Sequence, residues 1–334
     1  MIKIKVSVPL NYIEHHRRMI PNDGVIDNVK FYFDNEPLEY DYWLIIHVSG
    51  LERVETAICA KDRIIYASLE ADETISQACK KFLDQFHYAF SCDSTIDIPH
   101  RINLSLHGWW VGIKVKFEKG KHIISKDCSM NYFSLGQPLA TKKQDRISVI
   151  LSNKDSLPGH RERKTFIEKL ISSRVGKYID IYGPDAMPVE DKWDALVGYK
   201  YHLCIENMVK NNYFTEKLAD PLLAECLCFY VGCPNISDYL PANSLLHMSY
   251  QDEFEKTVSL IESALESDLY DESLEAIRLG KQEILNKNNL FFIIARRFNK
   301  PKIKKVAITL YPSSLLKNPL RYMTKKLLAL LGIS

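Results

Sequence analysis

The stretch Tyr199-Lys200-Tyr201-His202-Leu203-Cys204-Ile205-Glu206-Asn207, continued by Asn212-Tyr213-Phe214-Thr215-Glu216-Lys217-Leu218, decides the fold class. An apolar run of strand length ends at Glu206-Asn207 and crosses a polar loop. It then meets Thr215, a residue type that caps helix N-termini. Strand, loop and helix in that order form the unit from which parallel α/β sheets are built. With Thr215 as N-cap, Glu216 and Lys217 fall in the first helical turn. A lysine there opposes the helix dipole, which favours negative charge at that end. The misfit is relieved when an anion such as a phosphate binds the helix N-terminus and the lysine helps to neutralise it. Glu216 would then accept hydrogen bonds from ribose or sugar hydroxyls. The spacing alone leaves a plainer reading open, with Lys217 solvated and Glu206 capping a loop.

The alternation continues in both directions. Strand patterns fall at Ile2–Val8, Tyr42–Val48, Arg63–Ala67, His87–Ser91, Arg146–Leu151, Tyr178–Tyr182, Tyr201–Glu206, Phe229–Gly232 and Leu245–Met248. Helix patterns fall at Thr74–Phe86, Arg161–Ser173, Asp191–Lys200, Thr215–Leu227 and Gln251–Glu266. The 334 residues exceed the length of about 100–200 that is usual for one folding unit. The expectation is an α/β chain of two Rossmann-like domains facing across a cleft, 1–142 and 143–285. Residues 286–334 would add helices and a basic amphipathic tail. In such sheets ligands sit beyond the carboxyl ends of strands.

Composition narrows the class. Hydrophobic residues are 46% and charged residues 26%, which is ordinary globular usage. No secretory pattern opens the chain. Leu285 to Phe298 comes closest to a spanning stretch but is interrupted by Lys287, Arg296 and Arg297. Cys226, Cys228 and Cys233 lie close together but form no CxxC pair and have no neighbouring histidine, so they are expected to pack as small hydrophobes. The net charge of +2 conceals ten basic residues and no acid between Arg296 and Lys326. A basic tail on an acidic body points to an anionic contact. Apolar on one face and basic on the other, the tail from Leu315 to Leu328 suits an anionic membrane surface, or equally a helix packed on the body with a solvated basic face. A nucleic-acid partner is not expected, because no reading motif accompanies the charge.

Two other strand ends carry candidate chemistry. After Ile147–Leu151 come Arg161 and Arg163 at a helix start, where an arginine can meet a phosphate. Residues two apart do not share a helix face, so one of the two at most points inward. After Ile64–Ala67 comes Glu70, placed to act as a general base. Asp72 and Glu73 read more simply as acids favoured at a helix N-terminus. His15-His16-Arg17-Arg18 reads as a basic loop or helix start facing solvent. Trp109-Trp110 could stack on a sugar or pack in the core.

The run from Tyr199 to Leu218, followed by Gly232-Cys233-Pro234-Asn235 and Tyr239-Leu240-Pro241, resembles the donor motif of the α-1,3/4-fucosyltransferases, glycosyltransferase family 10. That motif is a strand ending Phe-Glu-Asn, then Tyr-Val-Thr-Glu-Lys, a Gly-x-Pro-Asn turn and Phe/Tyr-x-Pro. Ser152-Asn153 to Phe166 is similar to a further segment of the family, in a register that selects Arg163 over Arg161. Tyr66 to Glu70 and Phe86 to Ser91 look like its acceptor-side segment. Ile205, Met208 and Phe214 depart from the family pattern.

The resemblance implies a GT-B fold, GDP-fucose as donor and inversion at the anomeric carbon. Asn207, Tyr213, Glu216, Lys217 and Arg163 would hold the nucleotide and diphosphate, and Glu70 would be the catalytic base. No metal site is implied. A divalent cation (Mn or Mg) would at most stimulate, and no cofactor is required. The acceptor would be a hydroxyl of an oligosaccharide or lipid-linked glycan, with α-1,3/1,4 linkage, in surface polysaccharide or lipopolysaccharide synthesis. The expected place is cytoplasmic, peripheral on the inner face of the membrane. Alternatives are a transferase of another GDP-deoxyhexose and a non-catalytic nucleotide- or carbohydrate-binding relative.

Overall fold

The computed structural model describes residues 1–33, 39–46, 51–69, 79–104, 108–118, 121–152 and 158–330. The chain forms two compact units: Met1–Ile13, Ile20–Leu106 and Phe291–Ser334 in one, Glu14–Met19 and His107–Leu290 in the other. Both are α/β units on largely parallel sheets, and among the described residues each of the nine expected strands is found with shifts at its ends.

The first unit is built on a seven-stranded sheet in the order Val25–Ile26, Val29–Tyr32, Ile2–Ser7, Tyr42–Ile46, Ile64–Ala67, Tyr88–Phe90, His100–Ile102. Its pairings are parallel except at Val25–Ile26 against Val29–Tyr32. Trp43, Tyr66, Phe82 and Phe86 lie at the centre of its core. The chain end returns here. Phe291 meets Phe31 edge-on at 5.1 Å, Phe298 packs on Tyr42 and Tyr88, and Val306–Leu310 pairs antiparallel with Glu55–Cys59. The expected boundary at 285 therefore differs from the structure, in which the chain from Phe291 onward is part of the first unit rather than an appendage.

The second unit carries five parallel strands in the order Ile179–Tyr182, Gln144–Ile150, Tyr199–Ile205, Leu227–Val231, Leu245–His247. The chain leaves Gln144–Ile150 to one side and then returns to the other, so the strand order reverses between Gln144–Ile150 and Tyr199–Ile205. Ligands of open α/β sheets bind at this switch point, outside the carboxyl ends of the strands. The expected boundary at 142 also differs. Lys281 donates to Glu225 at 2.9 Å and to the carbonyl of Gln137 at 2.8 Å, while the Leu139 N–H reaches Glu225 at 3.2 Å. These bonds tie the segment before Lys142 into the second unit.

The expected helix Thr74–Phe86 lies outside the described residues up to 78 and is helical over Lys80–Leu83 after that, and two other expected helices are corrected. Asp191–Lys200 is a short 3-10 turn, Lys192–Ala195, and Tyr199 already begins the strand. Asp191 spends its carboxylate on two backbone N–H groups, Trp193 and Gly112, each at 2.9 Å, which fixes a turn rather than a helix. Thr215–Leu227 is helical only over Glu216–Leu223, because Glu225 takes a left-handed φ of 55° and Leu227 opens the next strand.

The strands Tyr199–Ile205 and Leu227–Val231 are buried almost throughout, as central parallel strands are. His202, on Tyr199–Ile205, is 4% exposed, with its Nδ1 2.8 Å from Ser148 Oγ on the neighbouring strand. Burial depresses its pKa to about 3, with Lys192 adding to the effect. The folded state thus refuses a proton that the unfolded chain accepts. The stability this histidine contributes is present above the ordinary value of 6.5 and is lost as pH falls from there toward 3. Urea unfolding at about pH 7.5 and about pH 4.5 should show that loss in the wild type and a smaller one in His202→Gln. Equal losses in both would contradict it.

Candidate functional site

The site grows from one strand end. Tyr199–Ile205 delivers Glu206 into the interior, where it is 1% exposed. Gly232 makes the room, since a Cβ there would lie 2.7 Å from Glu206 Cγ and 2.3 Å from Tyr230 Oη. The Thr215 N–H donates to Glu206 Oε1 at 2.7 Å, and the Thr215 hydroxyl donates to Oε2 at the same distance. Thr215 Oγ1 in turn accepts from the Lys217 N–H at 3.3 Å and from Lys217 Nζ at 3.2 Å. One carboxylate therefore holds the N-cap of the helix Glu216–Leu223, and the N-cap holds the lysine. Lys217 Nζ also lies 3.7 Å from Glu206 Oε2 and 3.4 Å from Glu216 Oε1. Burial raises the pKa of Glu206, while Lys217 and the Thr215 bonds oppose that rise.

The loop between strand and helix is fixed by a second set of bonds. Asn212 adopts φ 63° and exchanges hydrogen bonds with Asn235, each 2.8 Å long. The Tyr239 hydroxyl donates to Asn212 Oδ1 at 2.7 Å, and Phe214 packs on Tyr239 at 5.3 Å. The Pro-Asn turn and the Tyr-x-Pro segment thus position Tyr213, which is buried, and Thr215 after it.

Arg163 arrives from the neighbouring strand end. It lies on the helix Pro158–Ile171 and is 6% exposed, whereas Arg161 is exposed. The helix and the loop after Glu206 come so close that a Cβ on Gly159 would meet the Asn207 carbonyl oxygen at 1.8 Å. Arg163 Nη2 donates to Ser152 Oγ at 3.2 Å. Burial lowers its pKa, and the carboxylates of Glu206 and Glu216 act against that. Arg163 and Lys217 thus place two cations near the same buried carboxylate, at the sheet's switch point.

Glu216 points toward another cluster that sequence reading missed. Lys192 Nζ lies 3.5 Å from Glu216 Oε1 and 3.0 Å from Asp220 Oδ2. Asp220, fully buried, accepts the N–H groups of Trp110 at 2.6 Å and Val111 at 3.2 Å. Trp110 stands 4.2 Å from the ring of His15, and Trp109 is buried. The solvent-facing expectation for His15-His16-Arg17-Arg18 is corrected. His15, His16 and Arg18 are buried, because the Arg18 guanidinium satisfies the carbonyls of Trp109, Val111 and Met130.

Asn207, Tyr213, Glu216, Lys217 and Arg163 therefore lie in one unit around one strand-end region, while Glu70 lies outside the described residues. Glu206 is the residue that sequence spacing undervalued, as a mere loop cap. Its raised pKa has a measurable consequence. As pH rises above the ordinary glutamate value of 4.5, the unfolded chain ionises before the folded one does, so stability contributed by this residue is lost through that rise. Thermal unfolding of wild type and Glu206→Gln at about pH 4 and about pH 7 should show the difference moving toward the variant at the higher pH. A difference that is unchanged, or moves toward the wild type, would contradict the assignment.

Comparison with known proteins places this geometry. Residues 140–272 match the family model "Glycosyltransferase family 10 (fucosyltransferase) C-term". A fucosyltransferase-like protein of Arabidopsis thaliana is 30% identical over 142 residues, covering 40% of this chain and 27% of that protein. GDP-fucose protein O-fucosyltransferase 3 of Gallus gallus is 40% identical over 60 residues, covering 18% of this chain and 13% of that protein. The matches thus span about a quarter or less of these curated relatives. The crystal structure of an alpha1,3-fucosyltransferase with GDP is similar over 90% of this chain and 91% of its own, at 15% identity and a TM-score of 0.49. Residues 140–272 are thus similar to the C-terminal domain of the fucosyltransferases of glycosyltransferase family 10, the family that the Tyr199–Pro241 motifs resemble.

Proposed function

We propose that this chain is an inverting fucosyltransferase that moves fucose from GDP-fucose to a glycan hydroxyl. The observation that carries the reading is the buried Glu206 carboxylate bracing Thr215, which presents a helix N-terminus, Lys217 and Arg163 at the sheet's switch point. Such a point suits a diphosphate: the helix end favours negative charge, and the two cations match the two phosphates. The family match of residues 140–272 supports fucosyl transfer, and the donor named for the Gallus gallus relative supports GDP-fucose.

In this reaction Glu70 takes the proton from the acceptor hydroxyl. The hydroxyl oxygen bonds to the anomeric carbon as the carbon–oxygen bond to the diphosphate breaks, on the opposite face. Negative charge grows on the leaving GDP, and Arg163, Lys217 and the helix N-terminus stabilise it where it develops. The reading requires no metal, since these cations carry the charge, although Mn or Mg could stimulate. Asn207 and Tyr213 complete the nucleotide pocket. Glu70→Gln should lower turnover by about a hundredfold or more, within the range typical of general base catalysis, and leave GDP affinity intact. Lys217→Ala should weaken GDP binding instead. Steady-state kinetics with calorimetric GDP titration separates the two, and wild-type turnover by Glu70→Gln would remove the base assignment.

The acceptor is proposed as an oligosaccharide or lipid-linked glycan of surface polysaccharide or lipopolysaccharide, modified in the cytoplasm at the inner face of the membrane. The tail supports the membrane contact. On the helix Pro319–Leu330, Leu320, Met323 and Leu327 are 81%, 65% and 58% exposed, beside exposed Arg321 and Lys326. Among the described residues no helix is long and apolar enough to cross a membrane. Vesicles containing anionic lipid should pellet the full chain and lose that ability when residues after Pro312 are removed. Equal pelleting by both forms would end the membrane proposal.

A further inference from the structure

Three buried polar atoms beyond the carboxyl ends of the second unit's strands have no partner among the described residues: Arg163 Nε, Asn207 Oδ1 and the Tyr250 hydroxyl. Each comes from a different strand end of the same sheet. Arg163 and Asn207 follow Gln144–Ile150 and Tyr199–Ile205, and Tyr250 follows Leu245–His247. A buried donor or acceptor left unsatisfied costs about 1–3 kcal/mol, so such groups beyond strand ends suit a ligand that supplies the bonds.

The Tyr250 ring is fixed against the helix that carries Arg163. It meets Phe166 edge-on at 5.3 Å, and Phe166 stands three residues after Arg163 on the same helical face. Tyr250 also lies within electrostatic reach of Arg163 and Glu206. Arg163 has already committed Nη2 to Ser152, which leaves Nε free to point elsewhere. The orphans comprise two donors, Nε and the phenol, and one acceptor, Oδ1. Two donors with positive charge behind them suit an oxygen of a phosphate. The acceptor suits a hydroxyl or amine of the attached nucleoside.

We propose that Tyr250 is a donor-binding residue whose hydroxyl hydrogen-bonds a diphosphate oxygen of the nucleotide sugar, beside Arg163 Nε. This rests on the donor-site reading above and adds a residue to it. Burial holds the phenol well above its ordinary range, so it keeps its proton and donates.

The test is Tyr250→Phe, which keeps the ring against Phe166 and removes only the hydroxyl. Calorimetric titrations of the full chain use GDP, guanosine and inorganic pyrophosphate. The expected result is a loss of about tenfold for GDP and pyrophosphate, equal to about 1.4 kcal/mol, with guanosine unchanged. Wild-type GDP and pyrophosphate affinity in the variant overturns the proposal, and so does an equal loss for all three ligands. Arg163→Ala is titrated alongside. If Arg163→Ala leaves GDP affinity unchanged, or the wild type binds no GDP, the donor-site reading itself fails. If Arg163→Ala weakens GDP and Tyr250→Phe does not, only the Tyr250 assignment fails.

Discussion

The second unit turns on one buried carboxylate. Glu206 ends a central strand, lies almost wholly out of water and bonds both the N–H and the hydroxyl of Thr215. A lone carboxylate in that place would be costly, and burial does raise its pKa. What makes it tolerable is the number of donors turned toward it. Hydrogen bonds to a charged group contribute about 1.5–3 kcal/mol each, more than neutral ones. The same bonds fix the first turn of the helix Glu216–Leu223, so the strand end and the helix start are rigidly joined across the loop.

That joint sets the electrostatics around it. Lys217 is held by Thr215 and flanked by Glu206 and Glu216. Glu216 is shared with Lys192, Lys192 with Asp220, and Asp220 with the backbone of Trp110 and Val111. Charges therefore alternate outward from the switch point in a connected chain. A group that binds Lys217 draws on an arrangement fixed before binding, and preorganised charge of this kind needs little reorganisation when a reaction develops new charge.

Much of this was legible in the sequence, and the limits have physical causes. Strands were readable because their apolar runs end at turn residues. Thr215 was readable as an N-cap because its side chain acts on its own local backbone. Arg163 was separable from Arg161 because the family register singled it out, and only the former is buried. Long-range bonds were not readable. Arg18 is buried because it satisfies carbonyls about a hundred positions away, and no local pattern encodes those partners. Asp191–Lys200 has helical composition, yet Asp191 is committed to the Gly112 N–H, far off in sequence. The antiparallel return of Val306–Leu310 onto Glu55–Cys59 joins two edge segments with weak patterns of their own. Glu206 was visible as a residue but not as a brace, because its role depends on burial beside Gly232.

The central claim is that the Glu206-braced helix end, with Lys217 and Arg163, is a diphosphate site. Calorimetric titration of the purified chain with GDP and with GMP tests it most directly, since the two ligands differ only in the outer phosphate. The account predicts that GDP binds more than about tenfold tighter, a difference of more than about 1.4 kcal/mol. Equal affinity for GDP and GMP would contradict it.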